Sequence, residues 1–257
     1  MRVHRDLEYS QPPGFRPISL DLRRPDHDGA PVVVYFHGGG FRAGTRKVFT
    51  PGIADAASFD RIVEAGFAVA SCDYRLSGEA RFPAQIDDAD AAIDWVRDHA
   101  DDYGLDASKV IVWGVSAGAT IGALAALRRR DVCGVVDWFG PAELFALAAH
   151  DSGDPPERTR EALWLGAGAD TVPDAARAAS PALQVHAAAP PFHIAHGTAD
   201  AHVPIAQSEL LAGALADAGV DVEYTAVAGG AHFWRGVSDT APLFDAALGF
   251  CRRVAGQ

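Results

Sequence analysis

Ser116, Asp200 and His232 have the types and the chain order of a nucleophilic relay. A serine hydroxyl attacks a carbonyl only once a histidine takes its proton. A carboxylate then orients the imidazole and stabilises its charged form. Such an attack on an ester or amide builds an oxyanion, which needs N–H donors. Ser116 lies in G-V-S-A-G (114–118), and the order Ser, Asp, His is the one expected when the serine sits on a strand-to-helix turn. Asp137 is the rival carboxylate. His202 stands two residues from Asp200, too close along the chain to serve as its relay partner. His37 reads as a loop-fixing hydrogen-bond partner and His196 as structural. His193 and His196 are three apart on an expected strand, face opposite ways, and make a poor metal pair. Asp73 and Arg75 read as a buried structural ion pair. Phe41, Trp138, Phe139, Phe233 and Trp234 flank these segments and are candidate pocket residues.

The elements around these residues must place them together. Residues 109–113, K-V-I-V-W, have the β-branched and aromatic content of a buried strand, and 119–127 are rich in Ala and Leu like a helix. Gly114 and Gly118 flank the serine because a side chain there would collide with the neighbouring strand or helix. The first N–H groups of that helix face the serine's surroundings, where negative charge would develop. The apolar run 31–36 leads straight into H-G-G-G-F (37–41). Strand-like runs at 191–196 and 222–227 precede Asp200 and His232. Further strands are expected at 18–22, 67–74 and 132–139, and helices at 54–65, 84–102, 205–218 and 239–254. Residues 42–52 read as a loop. Residues 1–17 are polar, carry three prolines and read as an irregular lead-in. Residues 142–189 hold short Ala-rich pieces broken by prolines, a small cap-like insertion with Leu144, Phe145, Leu163 and Trp164 turned towards the site. Alternating strands and helices predict an α/β chain with a doubly wound, mostly parallel sheet. Every chemical candidate falls at the carboxyl end of a strand, where such sheets bind ligands.

Composition bounds the remaining classes. The 257 residues, 49% hydrophobic and 22% charged, suit a single domain over 1–257. A formal charge of −12 disfavours nucleic acid or an anionic membrane surface as a partner. Cys72, Cys133 and Cys251 are odd in number and widely spaced, so they form neither a disulfide framework nor a zinc pattern. With no apolar leader and no spanning run, a cytoplasmic protein without a membrane partner is expected. A homodimer stays open. G-x-G-x-x-G does not follow the first strand, which excludes a dinucleotide site.

The motifs H-G-G-G-F (37–41), D-Y-R-L (73–76), F-P-A-Q-I-D-D (82–88), W-G-V-S-A-G (113–118), H-G-T-A-D-A-H-V-P (196–204) and G-A-H-F (230–233) resemble those of α/β-hydrolase esterases of the hormone-sensitive-lipase-like and BD-FAE-like kind. The resemblance covers roughly residues 31–250. It implies an α/β-hydrolase fold and a serine carboxylesterase without metal or cofactor. It also implies that Gly39, Gly40 and Ala117 supply the oxyanion N–H groups and that the substrate is a small ester or amide. Position 119 is Ala where many relatives carry Gly. Only 36 residues precede H-G-G-G-F, so the helical cap of the lipase-like relatives is expected to be absent or minimal. An arylformamidase acting on N-formylkynurenine ranks lower, because such relatives show H-G-G-Y-W at that position. A thioesterase or lactonase would use the same site, and a catalytically dead binding module would lack part of the relay.

Overall fold

A computed structural model describes residues 1–51, 55–150, 153 and 155–257. Gly52, assigned above to a loop, and Ala54, assigned to a helix start, lie outside the described residues, as do 151, 152 and 154 of the insertion. Among the described residues the strands are β1 (Arg2–Ser10), β2 (Ile18–Arg24), β3 (Ala30–Phe36), β4 (Ala68–Cys72), β5 (Leu105–Val115), β6 (Gly134–Trp138), β7 (Phe192–Gly197) and β8 (Val222–Val227). They form one sheet in the order β1-β2-β4-β3-β5-β6-β7-β8, antiparallel between β1, β2 and β4 and parallel from β4 onwards.

Strand β3 and the carboxyl-terminal half of β5 are apolar and buried throughout because both faces are covered. Val32, Val34 and Phe36 of β3 and Val110 and Val112 of β5 face one layer, with α2 (Ala84–Asp98) and α4 (Ala117–Arg128). Val33 and Tyr35 of β3, Ile111 and Trp113 of β5, and Trp138 of β6 face the other, with α1 (Asp55–Glu64) and α9 (Ala241–Ala255). The period-two alternation of a strand sorts these side chains between two cores.

Three expectations need correction. The lead-in is strand β1, paired antiparallel with β2. Seven of its nine residues carry polar or charged side chains and most are exposed, so it lacks the apolar alternation that marks a half-buried strand. It is an edge strand, and such charges discourage pairing with another chain. The helix expected over 84–102 divides into α2 and the short α3 (Ala100–Tyr103) at His99, whose backbone sits at φ −107°, ψ 14°. The His99 ring stacks on Trp95 and its Nδ1 lies 2.9 Å from the Trp95 carbonyl oxygen, competing for the helical acceptor. Asp73 and Arg75 do not pair: Asp73 accepts from Arg46, while Arg75 reaches Asp88 on α2 at 2.7 Å.

Between β6 and β7 the chain forms α5 (Leu144–Ala148), α6 (Arg160–Leu165), α7 (Pro173–Ala178) and single 3-10 turns. The last parallel crossover carries α8 (Ala206–Asp217). Among the described residues no helix is long and apolar enough to cross a membrane. Cys72, Cys133 and Cys251 are free thiols.

Strand β6 buries one carboxyl. Asp137 accepts the Gly140 N–H at 3.0 Å through Oδ1, and its Oδ2 has no partner among the described residues. Burial pushes its pKa up to about 6, against the pull of the Gly140 N–H and of His196. A carboxyl raised in the folded state stabilises the fold in its protonated form. That contribution is complete below the ordinary value of 3.8 and is lost as pH rises through about 6. Asp137→Asn abolishes this titration. Relative to the unaltered protein, the variant should gain stability from about pH 4 to about pH 7, on the order of 3 kcal/mol for two pKa units. Urea unfolding of both proteins across that range checks it; parallel pH dependences would contradict it.

Candidate active site

The turn from β5 into α4 sets the geometry. Ser116 caps α4 with φ 53°, ψ −126°, a region costly for a residue with a side chain, on the order of 1–3 kcal/mol. The sequence permits it through its two glycines. A Cβ on Gly114 would stand 2.3 Å from the Gly118 carbonyl oxygen, and one on Gly118 would stand 2.2 Å from that of Phe36. Chain and helix therefore approach closely enough to force the turn.

Three strand ends then bring the relay together. His232, beyond β8, lies with Nε2 3.0 Å from Ser116 Oγ. Its Nδ1 lies 2.6 Å from Asp200 Oδ2, beyond β7. An ionised Asp200 can only accept, so this contact fixes Nδ1 as the protonated nitrogen and leaves Nε2 free to receive the serine proton. Asp200 Oδ1 accepts the backbone N–H groups of His202 and Val203 at 2.8 and 3.0 Å. Burial opposes the charge on Asp200, but the hydrogen bonds from His196 and His232 outweigh it and hold the carboxyl well below its usual range. His196 thus does more than fill the core. Its Nε2 lies 2.9 Å from the Val203 carbonyl oxygen and 3.3 Å from Asp200 Oδ2, and its Nδ1 lies 2.7 Å from Ser208 Oγ. His193 turns away to Glu223 at 3.0 Å. Asp137, the rival acid, is engaged with Gly140 and makes no hydrogen bond to His232.

Gly39 (φ 129°) and Gly40 (φ 60°) follow β3, and Ala117 opens α4. The N–H groups of all three donate to no acceptor among the described residues. His37 steadies this loop. Its ring stacks on Tyr74 at 4.3 Å, and the Tyr74 hydroxyl donates to the His37 carbonyl oxygen at 2.8 Å. Burial holds the His37 imidazole below its ordinary pKa.

The sequence offered no signal for the group that anchors the loop from behind. Arg46 is almost fully buried and holds three carboxylates: Asp6 of β1, Asp21 of β2 at 2.9 Å, and Asp73. Its partners lie 25 to 40 residues away, so no local pattern reveals them. A second unforeseen feature is backbone strain. Of the six described non-glycine residues with positive φ, five are Ser116 or lie in the segments around it and His232: Phe41, Ser116, Phe139, Phe233 and Trp234.

The pocket residues need correction. Trp138 and Trp234 are 0% and 1% exposed and pack edge-to-face 5.3 Å apart in the core under α9, because alternation along β6 turns Trp138 to that face. Phe41 is buried under Trp164, their rings stacked 3.9 Å apart. Phe139 is buried against His232 at 4.9 Å, and Phe233, half-buried, packs on the same ring at 4.3 Å. The neighbouring cavity, about 450 Å³, is lined by the 142–189 segment together with Ala201 and His202. Leu144 and Leu165 line it, but Leu163, expected to face the site, is 43% exposed. Among the described residues no group of three or more His, Cys, Asp or Glu could hold a metal ion.

Residues 20–215 match the BD-FAE family profile. Esterase LipQ of Mycobacterium tuberculosis is 35% identical over 233 residues, covering 83% of this chain and 53% of LipQ. Esterase LipI of the same organism is 44% identical over 110 residues, 43% of this chain and 33% of LipI. The chain thus spans about half the length of the first relative and a third of the second. Among solved structures, a truncated form of a carbohydrate esterase from gut microbiota superposes with a TM-score of 0.88 at 27% identity, over 100% of this chain and 97% of the other. Esterase Est2 of Thermogutta terrifontis, at 24% identity and a TM-score of 0.78 over 98% of this chain and 92% of its own, shares the fold. The strand order, the turn at Ser116 and these likenesses together place the chain in the BD-FAE family, with an α/β-hydrolase fold.

Proposed function

We propose that this chain is a serine hydrolase that cleaves small carboxylic esters through an acyl-enzyme on Ser116. The observation that carries the reading is the continuous contact from Ser116 Oγ through His232 to Asp200, at 3.0 and 2.6 Å, beside three uncommitted N–H groups. His232 Nε2 takes the hydroxyl proton as Oγ attacks the ester carbonyl. The N–H groups of Gly39, Gly40 and Ala117 receive the oxyanion. The imidazolium then gives its proton to the departing alkoxide oxygen, leaving the acyl group on Ser116. Water, deprotonated by His232, attacks that acyl carbon and releases the acid. Asp200 stays ionised throughout, as its lowered pKa requires. The names of LipQ as an esterase and of the structural neighbour as a carbohydrate esterase agree with an ester substrate.

Ser116→Ala should lower kcat by at least about a thousandfold, and a fluorophosphonate should label the unaltered protein at Ser116 alone. Labelling that persists in the variant would move the nucleophile elsewhere. Asp200→Asn leaves the imidazole in the wrong tautomer and should cost about ten-thousandfold in kcat, whereas Asp137→Asn should cost far less. The opposite ranking would transfer the acid role to Asp137.

A cavity of about 450 Å³ walled by short helices suits a short acyl or alcohol group. Each methylene buried there contributes about 0.8 kcal/mol, and those left in water contribute little, so kcat/KM should peak at about two to six acyl carbons. A series of p-nitrophenyl esters from acetate to palmitate, with N-formylkynurenine alongside, checks this. A maximum at about ten carbons or beyond would require an acyl tunnel, and faster cleavage of the formamide would favour an arylformamidase.

A further inference from the structure

The cavity meets the relay through two residues of its own wall, Arg160 and His202. The stem of Arg160 lies on the oxyanion loop: a Cβ on Gly40 would stand 2.5 Å from Arg160 Cδ. The ring of His202 stacks on that of His232, 5.3 Å between centroids and 11° between planes. The ring of His202 and the stem of Arg160 therefore border both the relay and the cavity.

Arg160 takes part in no ion pair and donates no side-chain hydrogen bond among the described residues. Among the other half-buried arginines, Arg61, Arg75, Arg97 and Arg129 each hold a carboxylate, at 2.6, 2.7, 3.3 and 2.6 Å, and Arg23 lies over the Phe59 ring. Acids outnumber bases in the chain by 34 to 22, so partners are not scarce. Asp170 also lines the cavity, and among the described residues it forms no ion pair with Arg160. Local helix stability does not account for the charge either. Arg160 is the first residue of α6, where the helix dipole opposes a cation. His202 is held below its ordinary pKa by burial and by the charges of His232 and Arg160, which keeps it neutral near pH 7. Arg160 is then the cation presented between the relay and the cavity.

We propose that Arg160 is a specificity residue that binds a carboxylate on the substrate, so that the site prefers esters carrying an anionic group a few atoms from the scissile bond. A guanidinium pairs with a carboxylate through two parallel N–H bonds, and a site sheltered from water strengthens them. The inference rests on the esterase reading above. Half-esters of dicarboxylic acids would carry the anion on the acyl side; acyl esters of hydroxy acids would carry it on the alcohol side. The chemistry Arg160 recognises is the same.

The test uses two matched pairs: mono-p-nitrophenyl succinate against p-nitrophenyl butyrate, and 4-acetoxybenzoate against its methyl ester. The unaltered protein should show a higher kcat/KM for the charged member of one pair, which identifies the side that carries the anion. Arg160→Gln should lower kcat/KM for that substrate by about tenfold to a hundredfold, chiefly through KM. Butyrate hydrolysis should fall by much less than hydrolysis of the charged substrate, and fluorophosphonate labelling of Ser116 should persist, as expected when it is binding of the anion that is lost. Arg160→Lys, which keeps the charge without the fork, should fall between. Rising salt should erode the preference in the unaltered protein, a readout that needs no variant. A charged-to-neutral ratio that is the same in Arg160→Gln, or a preference indifferent to salt, would overturn the proposal while butyrate turnover left the esterase reading standing. Failure to hydrolyse any of the four esters, with no labelling of Ser116, would overturn both.

Discussion

The close approach of three backbone segments governs this structure. Where β5 turns into α4, Gly114 touches Gly118 and Ala119, and Gly118 touches the end of β3 at Phe36. There is no room for a methyl group at either glycine. That contact sets Ser116 at φ 53°, at the rim of the sheet and beside the first N–H groups of α4. It also fixes the distance between Ser116 and the loop that follows β3. Neighbouring parallel strands place the other groups at the same rim, because consecutive right-handed crossovers leave every strand ending on one edge. Four further non-glycine residues with positive φ, Phe41, Phe139, Phe233 and Trp234, lie around that same edge. Strain concentrated there is tolerated because the two apolar cores over-determine the backbone on either side of it.

The loop that follows β3 depends on a different kind of constraint. Arg46 is buried with three carboxylates, from β1, from β2 and from the residue after β4. A lone buried guanidinium would be costly; several charge-assisted hydrogen bonds offset the desolvation. The backbone N–H of Arg46 donates to Asp73 at 2.8 Å, and its carbonyl accepts the Ser71 hydroxyl at 2.8 Å. Together these tie residues 42–46 to the antiparallel edge of the sheet. The Tyr9 hydroxyl reaches the Asp73 carbonyl oxygen. The polar hairpin of β1 and β2 thus helps hold the segment that leads out of H-G-G-G-F.

Described residues of the segment between β6 and β7 wall the cavity. Trp164 is fully buried, stacks on Phe41 and donates Nε1–H to Gln85 at 2.8 Å, while its carbonyl oxygen accepts the Phe82 N–H. These contacts bind α6 to the loop that follows β3 and to α2. They fix the near side of the cavity and carry Arg160, four residues before Trp164, to the edge of Gly40.

Much of this was legible in the sequence, for a definable reason. Apolar runs of strand length followed by helical periodicity state a parallel sheet outright, and the order of the chain then assigns Ser116, Asp200 and His232 to its carboxyl edge. Gly114 and Gly118 could be read as sites of close approach before any neighbour was known. What escaped notice was non-local or lacked an apolar signature. Strand β1 is an exposed edge, so hydrophobic alternation had nothing to mark. Asp73 chose Arg46 over Arg75, and Trp138 chose the core over the pocket, because side-chain direction at a strand end follows the register of neighbouring strands. His196 looked like an ordinary core residue until folding set it against Asp200. Residue types and their order determined which chemistry the chain could hold. Only the tertiary structure decided which charges meet, since a partner tens of residues away is selected by packing and desolvation rather than by anything nearby in the chain.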